Sequence, residues 1–146
     1  MADILGDHRF DSFLAERAES ILLNFDRCYF QGGYYSSKGI VDDRANAMAV
    51  LAGLCKEENY PQIHTILLSV FNATVYMKNY ILTALCKMDY RKDAYHRMMS
   101  RYYNLAKNQN STLWEDFNIL GTKNHAWSGA PATIAFRYFM GIETDD

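Results

Sequence analysis

Apolar residues recur along this chain at helical spacing, and only two prolines, Pro61 and Pro131, interrupt the pattern. The pattern predicts an all-α fold of about six helices, at about residues 9–28, 43–55, 59–71, 74–88, 91–107 and 127–140. Helices joined by short connections run antiparallel to each other, so we expect three helical hairpins.

Two of these helices have the pattern of inner helices. The helix at 74–88 carries two apolar stripes, which require neighbours on both of its sides. The helix at 43–55 is rich in alanine, which allows its neighbours to approach closely. The helix at 91–107 is predicted to be an outer one, because basic residues surround its apolar face. These are Arg91, Lys92, Arg97, Arg101 and Lys107.

A faint internal repeat supports this alternation. Residues 51–56, Leu-Ala-Gly-Leu-Cys-Lys, resemble residues 82–87, Leu-Thr-Ala-Leu-Cys-Lys, at an offset of 31 residues. We expect each copy to end an inner helix and to turn tightly into an outer one. The longer loops would then share the opposite end of the molecule, which places the loop at 32–37 on the same face as the polar connection at 108–126.

Length and composition exclude several classes of protein. A chain of 146 residues fits one domain with a core of its own. Its 49% hydrophobic and 22% charged residues argue against disorder, and a net charge of −2 offers no basic field for nucleic acid. The apolar runs are shorter than the ~20 residues of a membrane span, and residues 1–7 lack the pattern of a signal peptide. We therefore expect neither nucleic acid nor a membrane as a partner.

The inventory of chemical motifs predicts no cofactor and no metal. Cys28, Cys55 and Cys86 are widely spaced and odd in number, and two lie in apolar helical contexts, so buried thiols are expected. The chain contains no Gly-rich phosphate loop, no Cys-x-x-Cys pair and no His-x-x-x-His pair.

The connection before the last helix concentrates residues that suit sugar chemistry: Trp114, Glu115, His125 and Trp127. Glycoside hydrolysis uses carboxylates as acid and base, and aromatic faces contact the C–H side of a sugar ring. Each residue also has a plainer explanation. Glu115 could be a solvated surface residue, His125 could cap the last helix, and both tryptophans could belong to the core.

This region resembles the carboxy-terminal end of bacterial α-L-rhamnosidases, which are inverting glycosidases built on an (α/α)6 toroid. The resemblance rests on Thr112-Leu113-Trp114-Glu115 and Asn124-His125-Ala126-Trp127, and weaker matches at 41–47, 73–77 and 80–85 follow the order of earlier toroid helices. It extends from about Phe10 to Ile142.

The resemblance implies half of a toroid, in a chain that is a fragment of a larger six-hairpin catalytic domain. It also implies inverting hydrolysis of α-L-rhamnosides without a cofactor. Glu115 falls on the position of the family's proposed general base, and Trp114, His125 and Trp127 would contact the sugar. The family's general acid lies upstream, in a segment rich in Asp, Arg and Trp that nothing here resembles. We therefore expect the isolated chain to be inactive on rhamnosides.

Three further expectations complete the sequence analysis. In Asp42-Asp43-Arg44, one aspartate would cap a helix and the other would form a local salt bridge with Arg44. Half a toroid would expose its inner helices, so we expect self-association through inner helices such as that at 74–88. The alternative function is a non-catalytic helical-hairpin interaction module, which the internal repeat favours.

Overall fold

The computed structural model describes residues 4, 6–108, 112–119 and 121–142, and the all-α prediction is confirmed. The predicted loop at 108–126 therefore lies partly outside the described residues. The helices, in chain order, are α1 (Asp11–Tyr29), α2 (Asp43–Leu51), α3 (Tyr60–Ser69), α4 (Val75–Lys87), α5 (Arg91–Lys107) and α6 (Ala130–Ile134). A small antiparallel hairpin, β1 (Ser36–Ser37) and β2 (Ile40–Val41), pairs Ser36 with Val41.

The helices form two layers. Helices α2, α4 and α6 pack side by side, and α3 and α5 pack behind them. Helix α4 lies at the centre, and its Val75, Ile81, Leu82 and Leu85 are fully buried. The inner position predicted for α4 is thus confirmed. The chain itself covers most of both apolar stripes, so α4 does not present the large bare face on which the predicted self-association depended.

Helix α5 is an outer helix, as predicted, but Arg97 is not on its surface. Arg97 is 4% exposed, and its Nη2 lies 2.9 Å from Oδ2 of the fully buried Asp43. Its guanidinium also donates to the carbonyls of Leu67 and Val70. Ala94 and Met98, one turn before and one residue after, are buried too. Helical spacing therefore turns position 97 inward, and Asp43 compensates the buried charge.

In the Asp42-Asp43-Arg44 segment, the helix cap and the local salt bridge are made by the same aspartate and not, as predicted, by two. Asp42 caps α2 by accepting from the Arg44 backbone N–H at 2.8 Å, and it also pairs with the Arg44 side chain. The local salt bridge is therefore present, but the capping aspartate makes it. Asp43 instead forms the buried ion pair with Arg97.

Helix α2 is shorter than predicted, and its end shows that the sequence repeat is not the structural repeat. Gly53 takes a left-handed φ of 72°, and the N–H of Leu54 bonds back to Ala49. The same turn ends α4, where Asp89 has φ 66° and the next N–H bonds back to Leu85. Gly53 and Asp89 are 36 positions apart, whereas the sequence repeat has an offset of 31.

The last helix is also less regular than the single helix predicted at 127–140. It begins as a 3₁₀ turn at Ala126–Gly129, becomes α6, and ends as a π-turn at Ala135–Phe139. Pro131 fits the first turn of α6, where a backbone N–H is not needed. In the π-turn, the N–H of Met140 bonds to Ala135, five residues back.

Helix α1 has the predicted extent but contributes no fully buried residue. Its attachment to the body lies at its carboxyl end, where the Phe25 ring centroid is 5.2 Å from that of Tyr35. Tyr35 exchanges two hydrogen bonds with the side chain of Asn46 in α2, and its hydroxyl donates to the Leu54 carbonyl. The loop at 32–37 therefore lies along α2 toward the turn into α3. That it shares a face with the 108–126 connection stays a prediction.

The cysteines differ in their environments. All three are free thiols; Cys55 and Cys86 are buried, while Cys28 on α1 is exposed, contrary to the expectation of buried thiols. Burial raises the pKa of both Cys55 and Cys86 to about 11. Among the described residues, none of the helices combines the length and apolar character that crossing a membrane requires.

Candidate functional site

The connection before α6 folds into an irregular hairpin that determines which side chains meet. The Glu115 N–H donates to the Thr122 carbonyl at 3.1 Å, and the Asn124 N–H donates to the Leu113 carbonyl at 2.8 Å. Gly121 and Asn124 adopt left-handed φ values of 87° and 73°, which glycine and asparagine tolerate best. The hairpin thus brings Glu115 next to residues 122–125.

Glu115, Thr122 and His125 form a chain of hydrogen bonds. Glu115 Oε2 accepts from the Thr122 backbone N–H at 3.0 Å and from the Thr122 hydroxyl at 2.8 Å. The same hydroxyl lies 2.6 Å from His125 Nε2. A threonine hydroxyl has one proton, so when it donates to Glu115 it can only accept from the imidazole. The network therefore requires a proton on His125 Nε2.

The Glu115 carboxylate is ionised and open to solvent. The hydrogen bonds from Thr122, helped by the nearby His125, hold the pKa of Glu115 below its ordinary value. The side chain is 48% exposed. Within the described part of the chain, both of its hydrogen bonds are accepted by Oε2, so Oε1 can polarise a water.

The position of the Glu115 carboxylate depends on the absence of a side chain at Gly121. A Cβ atom built on Gly121 would lie 2.9 Å from Glu115 Oε2, which is closer than ordinary packing permits. Any side chain at position 121 would therefore push the carboxylate away from Thr122.

Trp127 lies beside the network and is 47% exposed, so the alternative that places it in the core is wrong. Its ring centroid is 4.2 Å from that of His125 and 6.5 Å from that of Tyr76, which lies edge-on to it. Tyr80 continues the row, with its hydroxyl 3.3 Å from that of Tyr76. We call this row, His125, Trp127, Tyr76 and Tyr80, the aromatic wall. Trp127, Tyr76 and Tyr80 line a cleft of about 200 Å³ together with Asn79 and Thr133.

Trp114 belongs to a different surface. It is 8% exposed, its backbone carbonyl accepts from the Ser128 hydroxyl at 2.5 Å, and the Lys123 ammonium lies 4.7 Å from its ring centroid. Its indole lines an apolar groove of about 540 Å³ beside α5. Three of the four predicted site residues therefore come together, and Trp114 lies apart from them.

Two residues of the site were missed in the sequence, Thr122 and Gly121. The Gly-Thr pair before His125 is a turn signal that predicts such a hairpin, but hydrogen bonding by Thr122 follows only from the hairpin's register. Asp116, the neighbouring carboxylate, accepts from the Asn118 N–H at 2.8 Å.

The described residues bring no three histidine, cysteine, aspartate or glutamate side chains close enough together to hold a metal ion. The site offers one ionised carboxylate, its threonine and histidine partners, and an aromatic surface. Comparison with protein-family models, with curated proteins and with solved structures gives no match for this chain.

Proposed function

We propose that this chain is part of an inverting α-L-rhamnosidase, with Glu115 as the general base. The observation that carries the proposal is the ionised, half-exposed Glu115 carboxylate, held by Thr122 and His125 at the end of the aromatic wall. A general base must be unprotonated and must reach the proton that it removes. The lowered pKa of Glu115 keeps it unprotonated near neutral pH.

In the proposed reaction, Glu115 Oε1 takes a proton from a water as the water oxygen bonds to the anomeric carbon. The bond from that carbon to the leaving group breaks on the opposite face, so the configuration inverts. Inverting glycosidases hold acid and base ~6.5–9.5 Å apart to admit the water. The acid that protonates the leaving group would come from outside the residues described, as the resemblance implies.

The aromatic wall suits the proposed substrate. Rhamnose is a 6-deoxy sugar, so it presents a methyl group and several axial C–H bonds to an apolar surface. Indole and phenol rings contact such surfaces well, and the hydroxyls of Tyr76 and Tyr80 can bond to sugar hydroxyls. In this arrangement, Trp127 supplies the apolar surface and His125 links it to Glu115.

The proposal can be tested on the chain as it is, with a substrate that needs no general acid. Fluoride leaves without protonation, so α-L-rhamnosyl fluoride requires only the base. We expect fluoride release by the purified chain and a loss of roughly 10²–10⁴-fold in Glu115→Gln. Asp116→Asn, at the neighbouring carboxylate, is the matched control and should retain its rate. Equal rates in the two variants would show that Glu115 is not the base.

The alternative function, a non-catalytic interaction module, is favoured by a different observation. Helix α1 exposes a row of large apolar side chains that the body of the chain does not cover. Experiments can separate the two functions. Substitutions on α1 should leave fluoride release unchanged if catalysis at Glu115 does not depend on the α1 surface.

A further inference from the structure

Helix α1 has a surface without a partner in the described chain. Over 19 residues it has no fully buried side chain, and Leu14, Ile21 and Leu22 are 56%, 54% and 40% exposed. At helical spacing these three share one face with Ala18 and Phe25. We call this face the α1 stripe. Phe25 fixes its carboxyl end to Tyr35, so the rest of the stripe extends from the anchored end without cover.

A complementary surface lies beside α5. The apolar groove there is lined by Met98, Met99, Tyr102, Tyr103, Leu113 and Trp114. Met99, Tyr103 and Leu113 are 43%, 52% and 44% exposed, so the groove is an open apolar surface. Exposed apolar patches of this kind mark interaction sites.

The two surfaces are complementary in charge. The groove has a lysine at two points of its rim: the Lys107 ammonium lies 4.9 Å from the Tyr103 ring centroid, and that of Lys123 lies 4.7 Å from the Trp114 ring centroid. Helix α1 is acidic, because its four carboxylates outnumber its two arginines; these are Asp11, Glu16, Glu19 and Asp26, against Arg17 and Arg27. Opposite charges at the rim set orientation and suppress competing arrangements.

We propose that the α1 stripe of one copy of this chain docks into the α5 groove of a second copy. The interface joins two different patches, so it is heterologous, and each copy offers one of each. Pairing of α1 with α1 is less favourable, because it brings together two acidic helices, each with four carboxylates and two arginines. The inference is independent of the proposed function, since Glu115 lies in neither patch.

The test is sedimentation of the purified chain with three single variants. Wild type should associate at roughly 100 µM, a concentration that detects even weak dimers. Ile21→Glu in the stripe and Met99→Glu in the groove should each raise the dissociation constant at least about 30-fold, as substitutions of central interface residues do. Leu23→Glu is the matched control: Leu23 is 67% exposed on the opposite side of α1, and its variant should associate like wild type.

Mixing the variants separates the heterologous interface from other arrangements. Ile21→Glu retains an intact groove and Met99→Glu retains an intact stripe, so the mixture should form a one-to-one dimer although neither variant associates alone. A monomeric wild type would overturn the proposal. So would a Met99→Glu variant that still associates, which would indicate pairing of α1 with α1. Circular dichroism of each variant confirms that the helices remain folded.

Discussion

Replacing Lys78 by methionine should stabilise the protein, because Lys78 is a buried amine whose charge is only partly compensated. Its side chain is fully buried in α4, and within the described residues its Nζ has no hydrogen-bond partner. The nearest rings are those of Phe71 and Phe117, at 5.8 and 5.7 Å from Nζ to the centroids. Burial lowers the pKa of Lys78 from 10.5 to about 7; the neighbouring Arg97 adds to this effect, while Asp43 opposes it.

The size and pH dependence of the effect follow from this pKa. In the unfolded chain Lys78 binds a proton up to about pH 10.5, whereas in the folded chain it loses the proton near pH 7. Between these values folding must release a proton, so the free energy of unfolding rises with pH. In this range each pH unit changes the free energy of unfolding by about 1.4 kcal/mol. Burial of Lys78 therefore lowers the free energy of unfolding by ~4 kcal/mol at pH 7 and by ~2 kcal/mol at pH 9.

Methionine retains the volume of the lysine stem and removes the charge. We expect Lys78→Met to raise the free energy of unfolding by about 2–4 kcal/mol at pH 7, and this advantage to shrink by ~2 kcal/mol at pH 9. Urea denaturation at pH 7, 8 and 9 measures both. Lys87→Met, at an exposed position of the same helix, is the control and should change little. A Lys78→Met variant that is less stable than wild type, or an advantage that is constant from pH 7 to 9, would refute the reasoning.

Three further predictions concern the ion pair and the site. Asp43→Ala leaves Arg97 buried without its carboxylate and should cost about 3–5 kcal/mol of unfolding free energy, measured by urea denaturation; a loss below 1 kcal/mol would contradict the burial of the pair. Thr122→Val removes one hydrogen bond to Glu115 and should raise the pKa of that carboxyl toward its ordinary value, which NMR titration of the labelled side chain reports; an unchanged or lower pKa would contradict the network. In wild type, fluoride release should therefore persist to lower pH than in Thr122→Val, since the carboxylate acts only above its pKa.

The helical pattern predicted the inner position of α4 correctly, because a helix that is buried on two sides carries apolar residues on both. Helix α4 is apolar on two sides, and its side chains are buried on both. The same logic failed at Arg97, whose charge indicates a surface position. Its partner Asp43 is 54 residues away along the chain. Only the packing of α2 and α5 against α4 brings them together, so no local pattern could have revealed the pair.

The candidate site shows the same limit. Glu115 and His125 were both identified from residue type, but Thr122, which joins them, depends on the register of an irregular hairpin. The sequence did not separate the two tryptophans, because Trp114 in the polar connection and Trp127 at the start of the last helix could each contact a sugar or belong to the core. Trp114 is buried against α5 and Trp127 is half exposed, because the hairpin turns their side chains to opposite surfaces.

The most direct test of the proposed function is the configuration of the product. Proton NMR, recorded in the first minutes after the chain is mixed with α-L-rhamnosyl fluoride, distinguishes the two anomers of rhamnose before they interconvert. The proposed role of Glu115 as general base predicts that β-L-rhamnose forms first and that its formation is lost in Glu115→Gln. Formation of the α anomer first, or no hydrolysis above the spontaneous rate, would contradict it.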